Sequence, residues 1–207
     1  MIQQVKTQFT PAARALARQL LGANFSATLL AAAMGASPNS RVMFTADVYG
    51  RLKGAVQHPI LVAQERVLFR TATGDLVIRN QYLEKKNFAP KDTGIRLFQL
   101  QVEAARTLGV RRITTLGAGS PESDDFVGYY LMARYGFDAP LEDRDLILLR
   151  EAFPTVRTLN ELIAAGGKDW LKENGLEKEM IFDLAADSSM MRVLNSYLAE
   201  LKWQGRL

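Results

Sequence analysis

Residues 76–109 read LVIRNQYLEKKNFAPKDTGIRLFQLQVEAARTLG, and the fold turns on how this stretch divides. Leu76 to Glu84 is dense in strand-forming side chains. Pro90 to Gly94 then has the composition of a turn. From Ile95 to Leu108 the apolar period changes to that of a helix. Leu97, Phe98, Gln101, Val102, Ala105 and Leu108 fall on one face, and Gly109 suits the helix end. The order is therefore strand, loop, glycine, helix. A helix start carries backbone N–H groups without intrahelical partners and the positive end of the helix dipole, which together favour an anion. Gly94 lets the backbone approach a phosphate closely, and Lys91 and Arg96 add positive charge on either side. A diphosphate would suit this arrangement, although one glycine before a helix is more often only a turn.

Working outward towards the N-terminus, Thr73-Gly74-Asp75 reads as the turn of a hairpin whose other strand is Arg66 to Thr71. Val42 to Tyr49 is a further strand, and Thr10 to about Met34 a helix with a break near Gly22. Thr10 followed by Pro11 is an N-cap followed by proline at the first helical position. Leu20 to Ala36 also mimics a signal peptide, with basic residues before it and small residues at its end. Asn24 and Ser26 interrupt the apolar run, so an alanine-rich amphipathic helix is the plainer reading.

Towards the C-terminus, Arg112 to Leu116 is a short strand, followed by the loop Gly117 to Pro121. A helix is expected over Asp124 to Tyr135, stopping at Gly136, with Asp124 and Asp125 read as N-terminal helix residues rather than as metal ligands. In the last third, Thr158 and Glu161 have capping-box spacing, and Gly166-Gly167 breaks the helix they open. Met180 to Leu184 reads as a strand. Asp187-Ser188-Ser189 opens a final helix striped by Val193, Leu194, Tyr197, Leu198 and Leu201. This order predicts an α/β (α+β) fold with a central mixed sheet and helices on both faces.

The 207 residues contain no cysteine and one histidine, His58. Thiol catalysis, disulfides, cysteine metal sites and two-histidine metal centres are thereby excluded within one chain, and no metal is expected. No run of 18 apolar residues is present, so no bilayer-spanning segment is expected. The net charge of +4 is a mild excess that fits an anionic small ligand and falls short of claiming nucleic acid. A loop histidine such as His58 is usually just exposed. Trp170 and Trp203 sit in the tail, where they either cover the core or form an interface.

A second feature, Gly128 to Asp138, places three tyrosines within seven residues before Gly136-Phe137. Taken together, the two features resemble the GNAT superfamily of acyl-CoA N-acyltransferases. That family has a strand leading into a pyrophosphate loop of pattern Gln/Arg-x-x-Gly-x-Gly/Ala, then a helix, a strand, and a later tyrosine-bearing helix closed by Gly-Phe. Gly94 stands at the second glycine, Leu97-Phe98 at the apolar pair, Ala105 at the alanine, and Gly109 at the helix end. Ile113 to Leu116 stands at the next strand and Gly136-Phe137 at the closing pair. The resemblance spans roughly residues 42–140. Departures are Asp92 at the first glycine, Ala89 at the Gln/Arg position, and Met132 where the family usually carries a tyrosine acid.

The resemblance implies a GNAT-like domain over 1–150, with a mostly antiparallel mixed sheet, and a C-terminal helical extension over 151–207 packed on the same domain. It implies acetyl-CoA or another acyl-CoA as co-substrate, held by Leu83, Lys91, Thr93, Gly94, Ile95 and Arg96. The acceptor would be the amine of a small molecule or a protein, attacking the thioester directly. Glu84 is the candidate base, against the plainer reading of a solvated carboxylate beside Lys85 and Lys86. Tyr130, then Tyr129, are the candidate acids in place of Met132; for most of these aromatics, packing on the sheet is the plainer reading. A cytoplasmic protein is expected, with a homodimer left open. The competing reading is a non-catalytic GNAT-like module that binds a partner protein, which Asp92 and Met132 favour.

Overall fold

Thr10 turns extended chain into helix, as its hydroxyl accepts from the Ala13 N–H at 3.2 Å with Pro11 at the first helical position. The structure, a computed structural model, describes residues 5–123 and 127–207. Helix α1 (Pro11–Leu21) ends at Gly22, and α2 (Ala27–Ala33) restarts behind a second cap, Ser26, whose hydroxyl accepts from Leu29. The break expected near Gly22 is therefore present. A strand not expected from the sequence, β1 (Lys6–Phe9), precedes them. Phe9 stacks on Phe44 with ring centroids 4.4 Å apart.

Then follow β2 (Arg41–Ala46), β3 (Leu52–Gln57), β4 (Leu61–Arg70) and β5 (Leu76–Lys85), with α3 (Thr93–Thr107) and β6 (Arg112–Gly117) after them. β1 pairs with β2 in parallel; β2–β3, β3–β4 and β4–β5 are antiparallel. Helix α4 (Gly128–Arg134) covers the described end of the helix expected over 124–135; Asp124 and Asp125 lie outside the described residues. Beyond it lie α5 (Asp143–Leu149), α6 (Leu159–Ala164), α7 (Lys168–Asn174), β7 (Lys178–Asp183) and α8 (Ser189–Trp203). The described residues thus form an α+β fold with eight helices and a seven-stranded mixed sheet in the order β1 to β7.

Contacts divide the chain into two compact units, residues 1–113 and 114–207. In the first, α1 lies on β2 and β3, and α2 lies on α3. Leu30, Ala31 and Met34, from the stretch that mimics a signal peptide, are wholly buried there with Phe44, Leu52, Leu68, Ile78 and Ile95. The buried face of β3 is Leu52, Gly54 and Val56; Met34 and Phe44 fill the space that a side chain at Gly54 would take.

In the second unit, Phe137 and Phe182 are wholly buried and meet edge to face at 5.5 Å. Gly136 has φ 96°, and a Cβ there would stand 2.4 Å from the Met190 carbonyl oxygen. The chain passes too close to α8 at that point for any other residue. The Thr158 hydroxyl caps α6 through the Glu161 N–H, while the Glu161 carboxylate reaches back to the Arg157 N–H rather than to Thr158 itself. Ser188 caps α8 through Met191. Lys178, nearly buried, bridges Glu142 and Asp145 at 2.9 Å each. Burial pushes the ammonium towards neutrality, and the two carboxylates outweigh that, leaving its pKa raised.

Candidate functional site

β5 is regular only to its middle. Glu65 pairs with Tyr82 and Arg66 with Asn80, so Gln81 is an extra residue on the β5 side. Arg66 fills the irregularity from within, its Nη1 donating to the carbonyls of Tyr82 (2.7 Å) and Glu65 (2.9 Å). Burial pulls its pKa down to about 9, which still leaves it charged at neutral pH. Asn80 and Gln101 exchange two amide hydrogen bonds, at 3.1 and 2.7 Å, tying the middle of β5 to α3.

Past the bulge, β5 emerges towards solvent. Leu83 is half-buried; Tyr82, Glu84 and Lys85 are exposed. The Tyr82 hydroxyl donates to Glu84 Oε2 at 2.5 Å, so the candidate base has one oxygen held by a phenol on the same strand face. That bond, with smaller contributions from burial and the nearby negative charge, raises the Tyr82 pKa.

The chain then turns through Lys86 to Asp92 into α3. Lys86, Asn87 and Lys91 are exposed, and Phe88 is 71% exposed with the Lys86 ammonium 5.7 Å from its ring centre. The Thr93 N–H and hydroxyl both donate to the Pro90 carbonyl, at 3.2 and 2.6 Å. Asp92 is the N-cap of α3, yet it makes no side-chain capping bond and has φ 65°, in the left-handed region. No acidic residue stands in the first turn. Thr93, Gly94 and Ile95 are buried, while Lys91 and Arg96 are exposed. The six residues expected to hold a coenzyme thus comprise a half-buried strand residue, three buried residues of the first helical turn and two exposed cations.

In the second unit the two candidate acids differ. Tyr129 is buried, and its hydroxyl donates to the Lys172 carbonyl at 2.8 Å. Burial, then the charge of Glu122 and the neighbouring Tyr130, raises its pKa. Tyr130 is half-buried, with the Arg134 guanidinium 5.6 Å from its ring centre. Met132 is half-buried, and Tyr135 is buried and stacked on Tyr197.

Arg66, Asn80 and Tyr82 escape a reading of the sequence. Only the third carries a usable signal there: residues two apart on a strand share a face, which pairs Tyr82 with Glu84. His58 Nε2 lies 3.2 Å from the Pro38 carbonyl oxygen, and its Nδ1 accepts from Ile60. Among the described residues, no group of three or more His, Cys, Asp or Glu is placed to hold a metal ion. None of their helices is long and apolar enough to cross a membrane. Compared with models of protein families, the chain matches none, and a comparison with curated proteins finds no match.

Proposed function

We propose that the chain is an acyl-CoA-dependent N-acyltransferase that receives the coenzyme diphosphate at the head of α3. The observation that carries this reading is Asp92. Where the resembled loop has its first glycine, this chain has a non-glycine residue at φ 65°, the conformation that glycine adopts most readily. The cations Lys91 and Arg96 flank the turn on the exposed side. Phe88 offers an aromatic face for the purine of the coenzyme.

In this reading the acceptor amine attacks the thioester carbonyl, forming a C–N bond. The tetrahedral intermediate then collapses with loss of the C–S bond. A backbone N–H at the end of β5, within Leu83 to Lys85, stabilises the oxyanion. Glu84 takes the amine proton on the carboxylate oxygen that Tyr82 leaves open. The departing thiolate takes up a proton from solvent; of the two candidate acids of the second unit, the Tyr129 hydroxyl is committed to the Lys172 carbonyl. The acyl group ends on nitrogen, and the free thiol of coenzyme A is released.

The test is thiol release from acetyl-CoA in the presence of a panel of amines and lysine peptides. Wild type should release thiol only with an acceptor present. Glu84→Gln should lower kcat by about 10²–10⁴-fold, the range for a lost general base. A non-catalytic module is the second reading, favoured by Met132 and by the committed Tyr129 hydroxyl. Folded wild type that neither binds coenzyme A nor releases thiol across the panel would select it.

A further inference from the structure

The second unit holds a cavity of about 620 Å³ that acyl transfer does not use, bounded by the end of α4, by α6, by the start of α7 and by one side of α8. Its volume is that of a small-molecule site. Three cations and three carboxylates line it, and they are not equally partnered. Asp138 Oδ1 accepts the N–H groups of Ala139 and Asn160, both at 3.0 Å. The Glu161 carboxylate accepts the backbone N–H of Arg157, and Glu200 lies 3.9 Å from Lys168.

Arg134 and Arg192 remain. Neither pairs with a carboxylate among the described residues; Arg192 donates only to the Asp187 carbonyl, at 2.6 Å. Arg134 lies with its guanidinium carbon 4.5 Å from the centre of the Tyr197 ring, and its buried Nε has no hydrogen-bond partner. Asn160, 4% exposed, also lines the cavity; its Nδ2 donates to Gly136, while its buried Oδ1 has no partner. Buried polar atoms without partners are rare in folded proteins, and here two belong to residues that line one cavity. One is a cationic donor and the other an acceptor. Val193, Ile163 and Tyr197 add apolar lining to the same cavity.

We propose that this cavity binds a small organic carboxylate that also carries a hydrogen-bond donor. The carboxylate pairs with Arg134 and Arg192, the donor meets Asn160 Oδ1, and the apolar body lies against Val193 and Tyr197. The charge-assisted pair is the stronger contact and sets the selectivity for anions. The site belongs to the second unit alone and is independent of the acyl-transfer reading.

The probes are 2-, 3- and 4-hydroxybenzoate, which vary the spacing of carboxylate and donor, and the neutral 4-hydroxybenzamide. Binding is read by saturation-transfer NMR on the full chain, with circular dichroism reporting folding. At least one hydroxybenzoate should bind with a Kd below about 1 mM, with the amide at least tenfold weaker, a factor of ten being about 1.4 kcal/mol. Arg134→Met should weaken that hydroxybenzoate at least tenfold, and Val193→Trp should abolish its binding by filling the cavity. If Arg134→Met does not fold, Arg192→Met, at an exposed position, and Val193→Trp carry the same comparison. The proposal is overturned if no hydroxybenzoate binds folded wild type at 5 mM. It is equally overturned if the amide binds as well, or if the folded variants bind unchanged.

Discussion

Asp92 carries an aspartate through a backbone shape that costs most residues about 1–2 kcal/mol, and that Asp and Asn tolerate better than others. Its carboxylate also stands at the positive head of a helix, where an incoming diphosphate would meet like charge. Asp92→Gly should therefore act twice. It should relax the turn, raising stability by up to about 1 kcal/mol, and tighten coenzyme A binding by removing a negative charge. Calorimetric titration and urea unfolding of the two proteins measure both effects. The sequence shows an aspartate where the resembled motif has glycine; only the dihedral angle shows that this aspartate is left-handed. Arg66 is a harder case. A charged residue within a strand normally points to solvent, and nothing in residues 61–70 announces that this one is buried against the Tyr82 carbonyl of β5.

At the scale of elements, the strand–turn–helix unit is held by side chains as well as by pairing. Gln101 is 1% exposed and depends on Asn80 for the amide bonds that join α3 to β5. Asn80→Ala strands that buried amide, which costs about 1–3 kcal/mol. Denaturant unfolding should show a lower midpoint with an unchanged slope. Elements with strong local signals were legible: the caps at Thr10 and Ser188, the break at Gly22, and the apolar face of α3. The hidden ones lacked such signals. β1 has only four residues, and β3 alternates correctly but has Gly54 where an apolar side chain is expected, because Met34 and Phe44 occupy that space. α5 and α7 are seven-residue helices rich in charge, too short for their period to stand out.

At the scale of the whole molecule, stability depends on pH through groups that folding moves away from their ordinary values. Burial is the largest influence on Asp138 and raises its pKa, against the hydrogen bonds from Asn160, Thr158 and Ala139 that lower it. A carboxylic acid whose folded pKa is raised binds more protons folded than unfolded between its ordinary value of 3.8 and the raised one. Its contribution to stability therefore falls as pH rises through that window. Asp138→Asn keeps the Oδ1 acceptor for both N–H groups and removes the charge. Wild-type stability relative to Asp138→Asn should decline from pH 3 to pH 7; a flat difference would mean that Asp138 does not titrate there.

The most direct test of the functional account is thermal unfolding with and without coenzyme A, on wild type and on a Lys91→Glu/Arg96→Glu double variant. Both substituted side chains are exposed, so the variant should fold, whereas Gly94 is buried and a bulky residue there would confound binding with folding. A ligand at about 100 times its Kd adds roughly 2.7 kcal/mol, which in a chain of this size raises the midpoint on the order of 5–10 °C. Binding of coenzyme A at the head of α3 requires that shift in wild type and its loss in the double variant. An unmoved midpoint for folded wild type at millimolar coenzyme A, or an equal shift in both proteins, would contradict it.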